Sequence, residues 1–236
     1  MPDGAFPDGG LAAVIGASGG IGSAVATLLD QDGGFDRTLR FARTSTPAFD
    51  VTSEDSVAAA AQTVRAIGLP LRLLFVATGF LHDAEHRPER SLRDLSPVHM
   101  AKAFAVNAIG PALVLKHFAP LLPRTGKAVI AFLSAKVGSI GDNRLGGWHS
   151  YRASKAALNQ IVRTASVELA RSRPESICVA LHPGTVDTPL SAPFAKGGLE
   201  VRAADAAARQ LVDVIAALTP WHNGAFLDHR GGELPW

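Results

Sequence analysis

The chain has 236 residues, 47% hydrophobic and 19% charged, a balance that describes a packed globule and excludes a disordered chain. A net charge of +2 with scattered arginines offers no basic block for nucleic acid or an anionic membrane, so neither is expected as a partner. A single cysteine excludes an internal disulfide. Cys178 lies in an apolar run, so it is expected as a buried structural thiol in a reducing, cytoplasmic setting. No apolar run reaches the length of about 18 residues needed to span a membrane. Residues 1–10 carry Asp3 and Asp8 and no basic side chain; they are read as a frayed end, not a signal peptide.

Leu11–Ile15 is a short apolar run, the mark of a strand buried on both faces. Gly16-Ala17-Ser18-Gly19-Gly20-Ile21-Gly22 follows at once, and residues 23–30 then read as a helix. Strand, glycine turn and helix make the first half of a nucleotide-binding unit. The start of a helix offers free N–H groups and a positive dipole end to a pyrophosphate, and glycines let the backbone approach it. The spacing through Gly16, Gly20 and Gly22 is G-x-x-x-G-x-G rather than G-x-G-x-x-G, so a plain packing turn stands as the alternative. Residues 38–42 are expected as a second strand. An acidic residue at its end would bind the ribose 2′-hydroxyl of NAD, but Arg43 stands there. Arg43 could pair with a 2′-phosphate, which favours NADP(H) over NAD(H); the alternative is a solvated arginine.

Residues 48–51 are expected as a short strand, and Ser53 as the N-cap of a helix with Glu54 and Asp55 in its first turn. Residues 71–77 read as a buried strand leading to Thr78-Gly79. Residues 82–93 are polar, mixed in charge and expected at the surface. His82, Asp83 and His86 lack the spacing of a metal-binding helix, and no metal is expected. Ser96-Pro97 opens a long apolar helix. Asn107 within it is either a satisfied core amide or a functional one, and Pro111 is expected to bend the helix there. Residues 128–133 form the next strand, with Ser134 at its carboxyl end, the edge where open α/β sheets bind ligands.

After the glycine-rich residues 138–147, a helix is expected to about residue 172. At its start stand Tyr151, the only tyrosine, and Lys155, one turn on and on the same face. A nearby positive charge lowers the pKa of a phenol, and a phenol so tuned can exchange a proton in a transition state. A strand at 177–181 leads into His182-Pro183-Gly184. Residues 190–199 are read as a mobile flap, 202–218 as the last helix and 224–228 as the last strand. Strands and helices alternate without a long linker. This predicts one domain, residues 1–236, of α/β class: a doubly wound parallel sheet in three α/β/α layers.

Taken in order, Gly16-x3-Gly20-x-Gly22, Asp50-Val51, Asn107, Ser134, Tyr151-x3-Lys155 and Pro183-Gly184 resemble the motifs of the short-chain dehydrogenase/reductase family. The resemblance runs from Leu11 to the C-terminus. The stretches Ala77-Thr78-Gly79-Phe80-Leu81-His82 and Asp142-Asn143-Arg144-Leu145-Gly146-Gly147-Trp148 resemble its C-factor-like or sniffer-like branch. The resemblance implies a Rossmann fold, a nicotinamide cofactor and a small carbonyl or alcohol substrate. It implies that Gly16, Ser18, Gly20, Ile21 and Gly22 hold the adenosine and pyrophosphate end, and that Asp50 and Val51 border the adenine. Pro183, Gly184, Val186 and Thr188 would pack around the nicotinamide. Ser134 would hydrogen-bond the substrate oxygen and Tyr151 would protonate it. Lys155 would bind the ribose and lower the Tyr151 pKa, and Asn107 would support a water chain from Lys155.

Two departures stand out. Ala77, Thr78 and Gly79 replace the family's usual Asn-Asn-Ala-Gly, and Ser134 precedes Tyr151 by more than the usual gap, with Ser139 at the customary spacing. The family also implies a homodimer or homotetramer through the long helices around Asn107 and Leu158. Two functions remain open at this point: an NADP-dependent carbonyl reductase or alcohol dehydrogenase, and a catalytically weak cofactor-binding sensor or signalling protein.

Overall fold

The computed structural model of the protein describes residues 6–194 and 200–236. The expectations for residues 1–5 of the N-terminal end and 195–199 of the flap lie outside the described residues. Six parallel strands form the central sheet: β1 (Leu11–Ile15), β2 (Arg37–Phe41), β3 (Leu71–Val76), β4 (Ala128–Leu133), β5 (Ser176–His182) and, at the edge, the strand Phe226–Asp228. Their order is β2-β1-β3-β4-β5 and then that edge strand. Connections run one way from β1 and the other way from β3, so the switch point lies between the carboxyl ends of these two strands. Parallel strands need covering on both faces, and β1, β3 and β4 are accordingly apolar throughout or nearly so.

Alternation along each strand sorts the side chains into two cores. Ala13, Ile15, Leu74, Val76, Ile130 and Phe132 face one layer: α2 (Glu54–Ala66), α3 (Pro97–Phe104), α4 (Gly110–Phe118) and α5 (His149–Ser172). Val14, Phe75, Ala131 and Val179 face α1 (Gly20–Asp32) and α6 (Ala204–Ala217) on the other. The three-layer α/β/α arrangement is the one expected. Cys178 is fully buried in the first core, and burial pushes its thiol up to about 12.

Three expectations need correction. Residues 48–51 are not a strand. β2 is an edge strand, and the chain after it folds back on itself: Ser45 Oγ donates to Ala42 O, and Phe49 N donates to the same carbonyl at 2.9 Å. Residues 82–93 are not all surface, because Glu89 is buried. The stretch Pro97–Leu121 is, contrary to expectation, long and apolar enough to cross a membrane by length and composition. Here Val114 and Phe118 pack into the first core, and Ala103 is buried on α3, which lies against α5. Leu158, placed by resemblance near a subunit contact, is itself in that core.

The long helix is interrupted as Pro111 requires. Proline has no N–H for the carbonyl four residues earlier, which belongs to Asn107. The ladder widens into a π-helical turn over Ala105–Ile109, with Gly110 N bonded to Ala105 O. Asn107, fully buried, sits in that turn.

Phe75 lies on β3 with no exposed surface. Phe75→Ala is expected to cost about 3–5 kcal/mol, read as a lower urea midpoint at unchanged slope. A loss under about 1 kcal/mol would contradict this packing.

Candidate active site

The glycine turn is shaped by contact. Gly16 has φ 83°, and a Cβ on Gly22 would fall 2.3 Å from Gly16 O, so neither position admits a side chain. The N-cap of α1, Gly19, makes no side-chain cap, and the first turn holds no acidic residue. Its N–H groups and dipole are therefore left for an anion. A cavity of about 500 Å³ opens in front of this turn at the switch point. Gly16, Ser18, Arg43, Asp50, Val51, Ala77, Thr78 and Gly79 line it. Gly20 and Gly22 shape the turn behind the wall; Gly20 lets α1 approach Thr188.

Two features of this cavity fit a phosphorylated dinucleotide. Thr78 Oγ1 is buried on its wall with no hydrogen-bond partner. Arg43 is exposed on its rim and makes no ion pair among the described residues. The Asp50 carboxyl titrates below its usual range, held there by the N–H and hydroxyl of Thr52 and, more weakly, by Arg43.

A second cavity, of about 530 Å³ and largely apolar, continues along the strand ends. Ile21, Ser134, Tyr151, Pro183, Gly184, Val186 and Thr188 line it, as do Leu81, Ala135 and His182. Tyr151 and Lys155 are both buried, and the Lys155 Nζ lies 5.9 Å from the Tyr151 ring centroid. Lys155 Nζ donates to Leu133 O at 2.8 Å. The phenol is not lowered as expected. Burial pushes Tyr151 up to about 12, and burial pushes the Lys155 amine down to about 8. The ammonium is committed to a strand-end carbonyl beside the ring, so desolvation governs the phenol. Tyr151 is thus held as a protonated acid across the neutral range.

The Ser134 hydroxyl donates to Asn159 Oδ1 at 2.6 Å, while Asn159 Nδ2 is buried without a partner. Ser139 lies off this cavity wall; it donates to Trp236 O and accepts from Asp142 N. Of the two serines, only Ser134 borders Tyr151's cavity. Asn107 donates to Phe80 O and Ser154 Oγ and accepts from Phe80 N at 2.7 Å. Its side chain therefore clamps the segment after β3 to α5 and makes no bond to Lys155.

Glu89 and Asn159 escaped the sequence reading. α5 begins at Trp148 with φ 52° and no side-chain cap. Glu89 supplies the cap from outside: it accepts from Ser150 N at 3.2 Å and from the Ser150 hydroxyl, and its own carbonyl accepts from Trp148 N. Burial alone would raise the Glu89 pKa, but Ser150 and His99, 3.5 Å away, outweigh it, and the carboxyl titrates below its usual range. The available cue was the helix start itself. His149 and Ser150 follow a tryptophan, so the first N–H groups had to find a distant acceptor.

Glu89→Ala strands the Ser150 donors in a buried setting and is expected to cost about 1–3 kcal/mol in urea denaturation. Glu89→Gln retains an acceptor and should lose less. Parent-like stability of the alanine variant would contradict the capping role.

A family model described as short chain dehydrogenase matches residues 11–198. C-signal of Myxococcus xanthus is 38% identical over 147 residues, spanning 62% of this chain and 84% of that protein. The 1-hydroxy-2-glutathionyl-2-methyl-3-butene dehydrogenase of Rhodococcus sp. strain AD45 is 32% identical over 190 residues, 80% of this chain and 79% of that one. Among solved structures, an NADPH-bound carbonyl reductase from chicken fatty liver superposes with a TM-score of 0.81 at 28% identity, covering 98% of this chain and all of that one. Carbonyl reductase Sniffer of D. melanogaster shares the fold at TM-score 0.81 and 22% identity, over 98% and 100% of the two chains. The chain belongs to the short-chain dehydrogenase/reductase family of oxidoreductases and resembles its C-factor-like, sniffer-like branch.

Proposed function

We propose that the protein is an NADP(H)-dependent carbonyl reductase, running as an alcohol dehydrogenase in the reverse direction. One observation carries this reading: a buried Tyr151 faces an apolar cavity that adjoins the glycine-turn cradle, with Lys155 one turn behind it. Bound NADPH supplies a hydride to the carbonyl carbon. Tyr151 gives its phenolic proton to the carbonyl oxygen, so carbonyl, NADPH and one proton become alcohol and NADP⁺. Lys155, held between Leu133 O and the Tyr151 ring, would reach the ribose and restore charge balance as the phenol loses its proton. The apolar walls keep water from the reacting atoms.

Ser134 can join this step through Asn159. A half-turn of the Asn159 amide would let its partnerless Nδ2 donate to Ser134 Oγ. The serine proton is then released toward the cavity and a substrate oxygen. Asn159 is in that sense a positioning residue for Ser134.

The NADP preference rests on Arg43 and on relatives that carry this cofactor, the chicken reductase and a Burkholderia multivorans short-chain dehydrogenase/reductase with bound NADP, 27% identical. Val98, Ile109 and Val167 leave exposed apolar surface on the long helices, which supports self-association.

NADPH oxidation against aldehydes and ketones tests the chemistry. Tyr151→Phe should lower kcat by about 10²–10⁴-fold. Parent-like turnover in that variant would remove Tyr151 as the acid, and NADPH binding without turnover of any compound would favour a sensor. Arg43→Asp should lower the NADPH-over-NADH preference in kcat/KM by about tenfold or more. An unchanged ratio would rule out the 2′-phosphate contact.

A further inference from the structure

The apolar cavity is not closed. A third cavity, of about 780 Å³, lies against it, lined by His82, Asp83, Arg87, Glu89 and Arg90 among others. Leu145, Gly146, Trp148 and Phe194 line both. The partition is aromatic. Trp148 meets Phe194 edge-on at 5.3 Å between centroids and Tyr151 at 6.2 Å on the catalytic side. His82 meets Phe194 at 5.2 Å on the outer side. A molecule whose carbonyl reaches Tyr151 and whose body runs past Trp148 enters the outer cavity directly.

The two chambers differ in chemistry. Among the described residues no carboxylate lines the inner one, where the charged side chains are Lys136 and Arg152. The outer one holds two carboxylates, and both are already engaged. Asp83 is bound by Lys102 and His86, and Glu89 by Ser150. Arg87 and Arg90 are exposed, and among the described residues neither guanidinium makes an ion pair or a side-chain hydrogen bond. Asp94, which accepts from Arg90 N, acts on the Arg90 charge only from a distance. Guanidinium forks without a direct partner beside engaged carboxylates form a site for a carboxylate or phosphate.

We infer that the substrate is bipartite: its carbonyl end occupies the apolar cavity at Tyr151, and an anionic tail passes Trp148 and Phe194 to Arg87 and Arg90. This rests on the reductase reading for the carbonyl end, while the tail site stands on the outer cavity alone. The aromatic partition sets the spacing, so a chain too short to pass it gains nothing from its charge.

The test compares the semialdehydes of succinic, adipic and azelaic acids with their methyl esters in NADPH oxidation at low salt. The parent should prefer the free acid over the ester in kcat/KM by about tenfold for the long chain, and not for the shortest. Added salt should shrink the preference. In the double variant Arg87→Ala/Arg90→Ala the acid-to-ester ratio should fall toward one. A parent ratio of one or less, or a ratio unchanged in the double variant, overturns the inference. If the parent turns over no member of the series, the reductase reading is decided by the wider aldehyde and ketone panel, and the tail site is read from equilibrium binding of the same compounds in the presence of NADP⁺. Tighter binding of the long acid than its ester, lost in the double variant, supports the tail site; equal binding overturns it.

Discussion

The bond from Lys155 Nζ to Leu133 O is the contact on which the site depends. It joins the first turns of α5 to the carboxyl end of β4, and so fixes a helix face against a strand end. A buried ammonium needs a strong acceptor, and the last carbonyl of a strand supplies one. With Lys155 anchored there, Tyr151 is turned into the apolar cavity one helical turn earlier. The rest of the region packs to that arrangement. A Cβ on Gly138 would fall 2.8 Å from Lys155 Cβ, so the turn after β4 can close over the lysine only with glycine there. Asn107 in its π-turn bonds Ser154, the neighbour of Lys155, and Glu89 bonds Ser150, the neighbour of Tyr151. The pair is thus held from three directions by groups that are themselves buried.

Burial then sets the chemistry. A phenol out of water resists ionising, and an amine out of water resists staying charged, so burial alone drives the two pKa values apart, the phenol up to about 12 and the amine down to about 8. That state suits the direction of carbonyl reduction, in which the protein must donate a proton. The reverse direction asks Tyr151 to accept one, and the positive charge of Lys155 becomes the group that makes a phenolate tolerable.

Much of the framework could be read from residues. The apolar runs of β1, β3 and β4 are periodic signals with little ambiguity, and the glycine turn, the π-turn at Asn107 ahead of Pro111 and the Tyr151–Lys155 pair each follow from local rules. What escaped depends on distant partners. Residues 48–51 have a strand-like composition, but no strand lies on the outer side of β2 to receive them, and that is a property of sheet order. Glu89 sits in a polar run, and only the uncapped start of α5 explains its burial. The engagement of Ser134 by Asn159 joins two elements that composition cannot align. The direction of the Tyr151 shift turned on depth of burial against distance to one charge, and a sequence supplies neither.

Because Tyr151 is the only tyrosine, its ionisation can be observed without labelling. The most direct measurement is a spectroscopic titration of tyrosinate in the cofactor-free protein, with circular dichroism confirming that the fold persists. A phenol governed by burial should remain protonated at pH 10, where a free tyrosine is half ionised, and ionise toward about 12 or only on unfolding. Half-ionisation at or below pH 10 in the folded protein would show that the charge of Lys155 outweighs burial and would contradict the account.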